Sequence, residues 1–377
     1  MIKRYLRFLV LIACFGLFSA CSEPETREIF TEKSTDPAKN VQELLMTHSS
    51  PPDSVNQKVA EYFSEQLFEL SEGKYHVTVY PDNQLGNFDG GIDALYDGTI
   101  ELRIGGGSGS NESIMILSWI SAMREVNPVQ LKEALNKDGK LYQMIQEDGR
   151  KEEVKVLTIL QPSYRGVTSN REIKSLEDFV GLQMRIHAEG FDRIYWENLN
   201  AKCKVYAIDE VYLALQQCVI DAQENTLSVI WGKEIYRQQK YFIHTDHRIN
   251  VDALYVSSQF YDTLNAEEQS WFQEAADRAA KYAEQKDCEK EYEQKMEAAG
   301  IQISREPNVL QAEMREASQT LVLDYLVEEY GEDKVKKIWM MLNDKEGKIP
   351  EFPDYEKQET PVRTARNSTL EIVNAAK

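Results

Sequence analysis

The chain has 377 residues, enough for two domains with full cores. Its 63 acidic residues against 43 basic ones give a net charge of −20, which argues against a nucleic-acid partner because phosphate binding relies on clustered Lys and Arg. An anionic small molecule stays open, since one buried arginine in a cleft outweighs a distant, screened surface field.

Residues 1–20 have the layout of a secretory signal peptide: Lys3, Arg4 and Arg7, an almost unbroken apolar run from Leu6 to Phe18, then small residues. The run is too short and too weakly flanked to span a membrane. Cys21 directly follows Leu17-Phe18-Ser19-Ala20, which resembles a bacterial lipobox with Phe18 where Leu is usual. A chain lipid-anchored through Cys21 is expected, with plain secretion as the alternative. Removing the leader deletes three positive charges and no negative ones, taking the net charge from −20 to −23. Residues 21–41 are polar and aperiodic, a flexible tether.

A strand is expected over 42–46. Ser54 with Gln57 forms a capping-box pattern that opens a helix, with Val55, Val59, Tyr62, Phe63, Leu67 and Leu70 at helical spacing and Gly73 closing it. Tyr75, Val77 and Val79 alternate as a strand, and a turn over 81–86 leads to a short helix ending near Gly98 and a strand over 99–104. Such alternation means a largely parallel sheet covered by helices. After a helical stretch over 126–148 the same grammar restarts: strand 154–160, a short helix capped by Ser175 and Asp178, strand 182–186, a helix to about residue 200, strand 203–208, helix 210–217 and strand 219–222. A strand over 251–257 crosses between the units. Asn265 with Glu268 caps a long helix to about residue 299, followed by strand 301–304 and two helices within 308–343. The fold class is therefore α/β, with domain I over 42–153, domain II over 154–250, a return to domain I over 251–343, and a polar tail over 344–377.

Among residues that could carry chemistry, Arg185 stands near the carboxyl end of its strand, on the face opposite Met184. Ligands bind at that end of open α/β sheets, and a guanidinium fork matches a carboxylate with two charge-assisted hydrogen bonds. A salt-bridged arginine on an exposed edge strand fits the same pattern. Asn225, ahead of the apolar segment from Leu227 to Trp231, either lends an amide to a ligand or caps a helix. Arg171 lies in the polar stretch Thr168-Ser169-Asn170-Arg171, where a lone arginine is usually solvated. The glycine-rich run Gly105 to Ser110 lacks a Walker or dinucleotide pattern; glycines there allow close approach of backbone to a ligand or an opposing domain. Cys203, Cys218 and Cys288 form no CxxC and no Cys/His grouping, so neither metal nor redox cofactor is expected. Spacing leaves a Cys203–Cys218 disulfide open against single thiols. An exported hydrolase would need a nucleophile–base pair or a metal, and no such motif stands out.

Several linked segments resemble the substrate-binding proteins of TRAP (tripartite ATP-independent periplasmic) transporters, across roughly residues 42–343. They are Tyr80-Pro81-Asp82-Asn83-Gln84-Leu85-Gly86, Thr168 to Arg171 with Ser175-Leu176-Glu177-Asp178, Gly181-Leu182-Gln183-Met184-Arg185, and Glu210 to Gln216 running into Asp221-Ala222-Gln223-Glu224-Asn225. The resemblance implies a two-domain, type II periplasmic-binding-protein-like flytrap with hinge strands and a long connecting helix. It puts Arg185 in the role of the arginine that pairs with the substrate carboxylate, Arg171 in that of the second arginine of sialic-acid-like members, and Asn225 in that of the amide after Gln-Glu. Thr47, Phe88 and Gly106 stand where sialic-acid binders place an Asn, an acidic residue and a Glu, so sialic acid is not the expected ligand. Cys218 and Thr226 replace a usual Gly and Pro. The glycines favour a ligand bulkier or more apolar than succinate, with Phe88, Tyr164, Tyr195 and Trp231 as candidate walls. The implied function is capture of a C4-dicarboxylate, uronate or related sugar acid at the periplasm or cell surface and its delivery to membrane permease subunits. A sensor lipoprotein presenting such a ligand to a receptor is the alternative.

Overall fold

The computed structural model describes residues 41–106, 131, 133–151, 153–160, 163–187, 189–285, 288–304 and 308–343. The leader with Cys21, the tether through residue 40 and the tail over 344–377 lie outside the described residues, as does the first part of the helical stretch over 126–148. Among the described residues no helix is long and apolar enough to cross a membrane.

The apolar run Leu44-Leu45-Met46 makes β1 (Gln42–Thr47) a strand of the core, parallel to β2 (Tyr75–Tyr80) and β3 (Leu102–Gly106). Its Leu44 and Met46 pack under α1 (Val55–Leu70), whose buried face carries Val59, Ala60, Phe63 and Leu67. Ser54 Oγ accepts from Gln57 N at 3.2 Å, but only half of the capping box forms. The Gln57 side chain instead bonds His48 Nε2 at 2.9 Å and Glu61 at 2.8 Å. A helix α2 (Phe88–Tyr96) joins β2 to β3, and α3 (Lys140–Lys151) precedes β4 (Val154–Ile159).

A second sheet begins with β5 (Ser163–Ser169). It continues through β6 (Gln183–Ile186), α4 (Phe191–Asn198), β7 (Lys202–Val205), α5 (Ile208–Gln216), β8 (Ala222–Asn225), α6 (Leu227–Gly232) and β9 (Tyr241–Asn250). The chain returns to the first sheet as β10 (Asp252–Ser257), then runs through α7 (Ala266–Glu284), α8 (Cys288–Ala298), β11 (Gln302–Ser304), α9 (Asn308–Tyr330) and α10 (Glu332–Asn343). The strand orders are β2-β1-β3-β10-β4 and β11-β9-β5-β8-β6-β7. Both sheets are mixed rather than largely parallel, because the strands that cross between them run antiparallel to neighbours: β10 to β3 and β4, and β5 to β8 and β9. The chain passes from one sheet to the other at β4–β5 and at β9–β10, where only the buried Val251 intervenes.

Two strands start later than the hydrophobic pattern suggests, for one reason. The N–H groups of Thr99 and Ile100 both donate to Ala94 O, at 2.9 and 3.1 Å, and finish α2. Val219 and Ile220 do the same to Ala214 O at the end of α5, at 2.9 and 3.4 Å. The turn residue is Gly98 (φ +67°) in the first case and Cys218 (φ +55°) in the second. Cys218 therefore occupies a left-handed position that glycine fills without strain. It is exposed, Cys203 is half-buried, and both are free thiols. Burial pushes the Cys203 thiol up to about 12, so it is inert rather than reactive.

Sheet membership also redraws the partition read from the sequence. β4 pairs within the first sheet although residue 154 was the expected start of domain II, and β11 pairs within the second although it lies in the segment expected to return to domain I. The long helix expected over 265–299 is two helices. Of these, α7 packs on α1 and β4, while α8 packs on α6 and β11.

Candidate functional site

The strand registers bring one group of polar residues together at the carboxyl ends of β6 and β8. Gly166 pairs with Asn225 and Met184 with Ala222, so Arg165 and Asn225 share the end of the sheet towards which Arg185 extends. Arg185 is 1% exposed, and its Nε donates to Tyr206 O, just past the end of β7, at 2.9 Å. Its Nη2 is buried without a hydrogen-bond partner. Burial pushes the guanidinium down to about 10, against the pull of Glu224 and with the push of Arg165, which leaves it a cation at neutral pH.

Arg165 is held by Glu224. Its Nε donates to Oε2 at 2.5 Å and its Nη2 to Oε1 at 2.8 Å, with a further bond to Glu224 O at 3.2 Å. Such a bidentate geometry is what makes a buried ion pair tolerable. Burial alone works to raise the Glu224 carboxyl. The Arg165 charge and the His247 hydrogen bond outweigh it and hold the group well below the usual carboxylate range. His247 Nε2 lies 3.2 Å from Glu224 Oε2, and Nδ1 lies 2.8 Å from Thr245 Oγ1. That network is satisfied when Nε2 carries the proton and Thr245 donates to Nδ1. Tyr195 and Trp196 back the imidazole at ring distances of 5.6 and 4.8 Å. Next to Arg165 in the register stands Arg248, whose Nη1 donates to Asp192 Oδ1 at 2.8 Å.

Asn225 Oδ1 accepts from Thr226 N at 3.0 Å, an Asx-type contact that orients the amide. Thr226 sits at φ −73°, the angle a proline there would fix. His187, one residue past β6, is solvent-exposed and feels the charges of Arg185, Asp192, Arg248 and Arg165. Desolvation first, then the neighbouring Arg185, pushes its imidazole down to about 4, so it is neutral at pH 7.

Arg171 is not part of this group. It is exposed at the amino-terminal side of the sheet, and its Nη2 donates to Asp178 O and, at 3.3 Å, to Val180 O, both just before β6. It closes a short 3-10 turn (Leu176–Phe179) instead. Arg165, six residues earlier, is the arginine that stands beside Arg185. Thr47 ends β1, is buried, and donates to Tyr80 O at 3.3 Å. Gly106 ends β3 opposite Asp252. Phe88 opens α2, and its side chain lies outside the described residues. Of the other candidate walls, Tyr195 is core, Trp231 stacks on Tyr236 at 4.5 Å, and Tyr164 is half-buried on β5. Among the described residues no group of three or more His, Cys, Asp or Glu side chains could hold a metal ion.

Two sheets flanked by helices and joined by crossing strands, with arginines gathered at the strand ends of one of them, form an α/β protein with a candidate anion site. The chain belongs to the DctP family, bacterial extracellular solute-binding protein family 7, which matches residues 46–329. A C4-dicarboxylate-binding periplasmic protein of Rhodobacter capsulatus is 26% identical over 306 residues, covering 78% of this chain and 89% of that one. The 2,3-diketo-L-gulonate-binding periplasmic protein of Escherichia coli is 26% identical over 253 residues, covering 65% and 75%. A match of 28% identity to an uncharacterised Haemophilus influenzae protein spans 65% of that protein. The fold is shared with a TRAP periplasmic solute-binding protein from Haemophilus influenzae solved with bound L-gulonate, at TM-score 0.71 and 24% identity, covering 81% of this chain and 99% of that one. A Roseobacter denitrificans protein with bound L-galactonate gives TM-score 0.68 at 24% identity, covering 78% and 98%.

Two outcomes follow from the site's electrostatics. Glu224→Ala strands the buried Arg165 charge, and urea denaturation should show a loss of about 3–5 kcal/mol. For His187, the free imidazole titrates at 6.5 and the folded one at about 4. Between those values the unfolded chain binds the extra proton, so stability falls as pH drops from 6.5 towards 4. His187→Gln should flatten that slope in urea midpoints measured across the window.

Proposed function

We propose that the protein captures a carboxylate-bearing sugar acid or dicarboxylate between its two sheets and delivers it to the membrane permease subunits of a TRAP transporter. One observation carries the reading. Arg185 Nη2 is buried and unpartnered, and neither Arg165 Nη1 nor Asn225 Nδ2 has a hydrogen bond among the described residues. Donors without acceptors, two of them on guanidiniums, make a site for an anion. Arg185 is the charge that the ligand neutralises; Arg165, fixed by Glu224, and Asn225 present further N–H groups to the same carboxylate. Relatives named for C4-dicarboxylates and diketogulonate, and structural neighbours holding galactonate and gulonate, support this ligand class.

A ligand that touches both lobes only when they are closed shifts the balance towards closure by its differential affinity. The permease would then recognise the closed form. At the other end of the chain, lipidation of Cys21 would hold the domain near the membrane on its tether, as the lipobox-like sequence suggests.

Arg185→Ala should abolish binding of any carboxylate ligand in calorimetry, while Arg171→Ala, altering only the exposed turn, should bind as the wild type does. Retained affinity in Arg185→Ala would remove the clamp role. Cys21→Ser should release the protein from the membrane fraction into the soluble exported fraction; unchanged partitioning would exclude the lipid anchor.

A further inference from the structure

We infer that Asp252 is a specificity residue which accepts hydroxyl groups of the ligand and repels a second carboxylate. The protein then takes polyhydroxylated monocarboxylates and rejects the matching dicarboxylates. The inference rests on the carboxylate clamp proposed above and narrows its ligand class.

Asp252 opens β10 where the chain passes from the second sheet to the first, opposite Gly106 in the antiparallel register. A Cβ on Gly106 would stand 3.2 Å from Asp252 Oδ1 and 3.4 Å from Val251 O. Glycine at that position therefore leaves room for the carboxylate, which any side chain would crowd. The other oxygen, Oδ2, accepts from Asn56 Nδ2 at 2.9 Å, and the same amide donates to Ser50 Oγ at 3.0 Å. One oxygen is thus tethered to the first lobe while the other faces the glycine. Asp252 is half-buried, and its field is felt by His48 and Tyr255 in the first lobe and by Arg165 in the second. It stands between the two halves of the site.

Charge balance gives this position its meaning. Glu224 pairs with Arg165 and Asp192 with Arg248, whereas no carboxylate among the described residues lies within ion-pair distance of Arg185. In the first lobe, the buried Arg103 and Asp252 carry opposite charges. Arg185 is thus the guanidinium of the second sheet that a ligand carboxylate neutralises. A second carboxylate reaching the hinge would meet Asp252 in a cleft where like charges are poorly screened. A hydroxyl there would instead donate a charge-assisted hydrogen bond. Discrimination comes from the repulsion as much as from the new bond.

Calorimetry on the full exported protein and on Asp252→Asn, with L-galactonate, galactarate and succinate as probes, tests this. The wild type should bind L-galactonate at least about 100-fold more tightly than galactarate or succinate, and Asp252→Asn should narrow that ratio by about 10-fold or more as repulsion is removed. Equal or tighter binding of either dicarboxylate by the wild type overturns the inference and leaves the clamp standing, as does a ratio unchanged in a folded Asp252→Asn. Failure of the wild type to bind any of the three acids overturns the clamp and this inference together. The wild-type ratio decides the question even where the variant does not fold.

Discussion

A guanidinium taken out of water requires an anion, and at the strand ends of the second sheet Glu224 supplies it for Arg165. Everything else at the site is arranged around that pair. Thr245 and His247 fix the far side of the carboxylate, and Tyr195 and Trp196 pack behind the imidazole. With its charge answered internally, Arg165 becomes a rigid presenter of N–H groups. The neighbouring Arg185 has only a backbone carbonyl, that of Tyr206, and so keeps an unanswered charge. Two adjacent buried arginines with one carboxylate between them are short of one anion. Because the donors are already oriented, a ligand need not order them on arrival, which is where much of the cost of binding usually lies.

The crossing strands connect this site to the other lobe. β5 and β9 lie side by side in the second sheet, and their continuations β4 and β10 lie side by side in the first. Movement of one sheet against the other is thereby confined to the short links between those pairs. At the rim the lobes meet through polar contacts. Lys233 pairs with both Asp82 and Asp209, Asn83 Nδ2 reaches Asp209 at 3.3 Å, and Tyr292 Oη donates to Asp53 O at 3.0 Å. Lys233 is largely buried there, between the two carboxylates.

Ends of elements were the least legible feature of the sequence. The apolar pairs Thr99-Ile100 and Val219-Ile220 look like strand starts, yet their N–H groups are used to terminate helices. Ser163-Tyr164-Arg165-Gly166 shows no apolar alternation, so the start of β5 has no strand signal in the sequence. It is a central strand all the same, since neighbours on both sides satisfy its backbone. The resemblance points to Arg171, whereas Arg165 carries no periodic signal of its own. The one local signal that could have found it is Gly166, where a Cβ would lie 2.3 Å from the Phe242 ring and so demands a tight strand crossing.

What the sequence determined by itself was periodic or local: the α/β class, the capped helices α1 and α7, and Arg185 at a strand end whose alternating pattern is intact. Spacing along the chain also carried the family resemblance through residues 80–86 and 181–225. What only tertiary structure decided was non-local. Glu224 and Arg165 are 59 positions apart and meet through an antiparallel pairing that no sequence period encodes. Asp252 faces Gly106 only because β10 crosses back beside β3. Local propensity shapes each element, but a buried charge finds its partner through the order in which strands are laid down, and that order is a property of the whole chain.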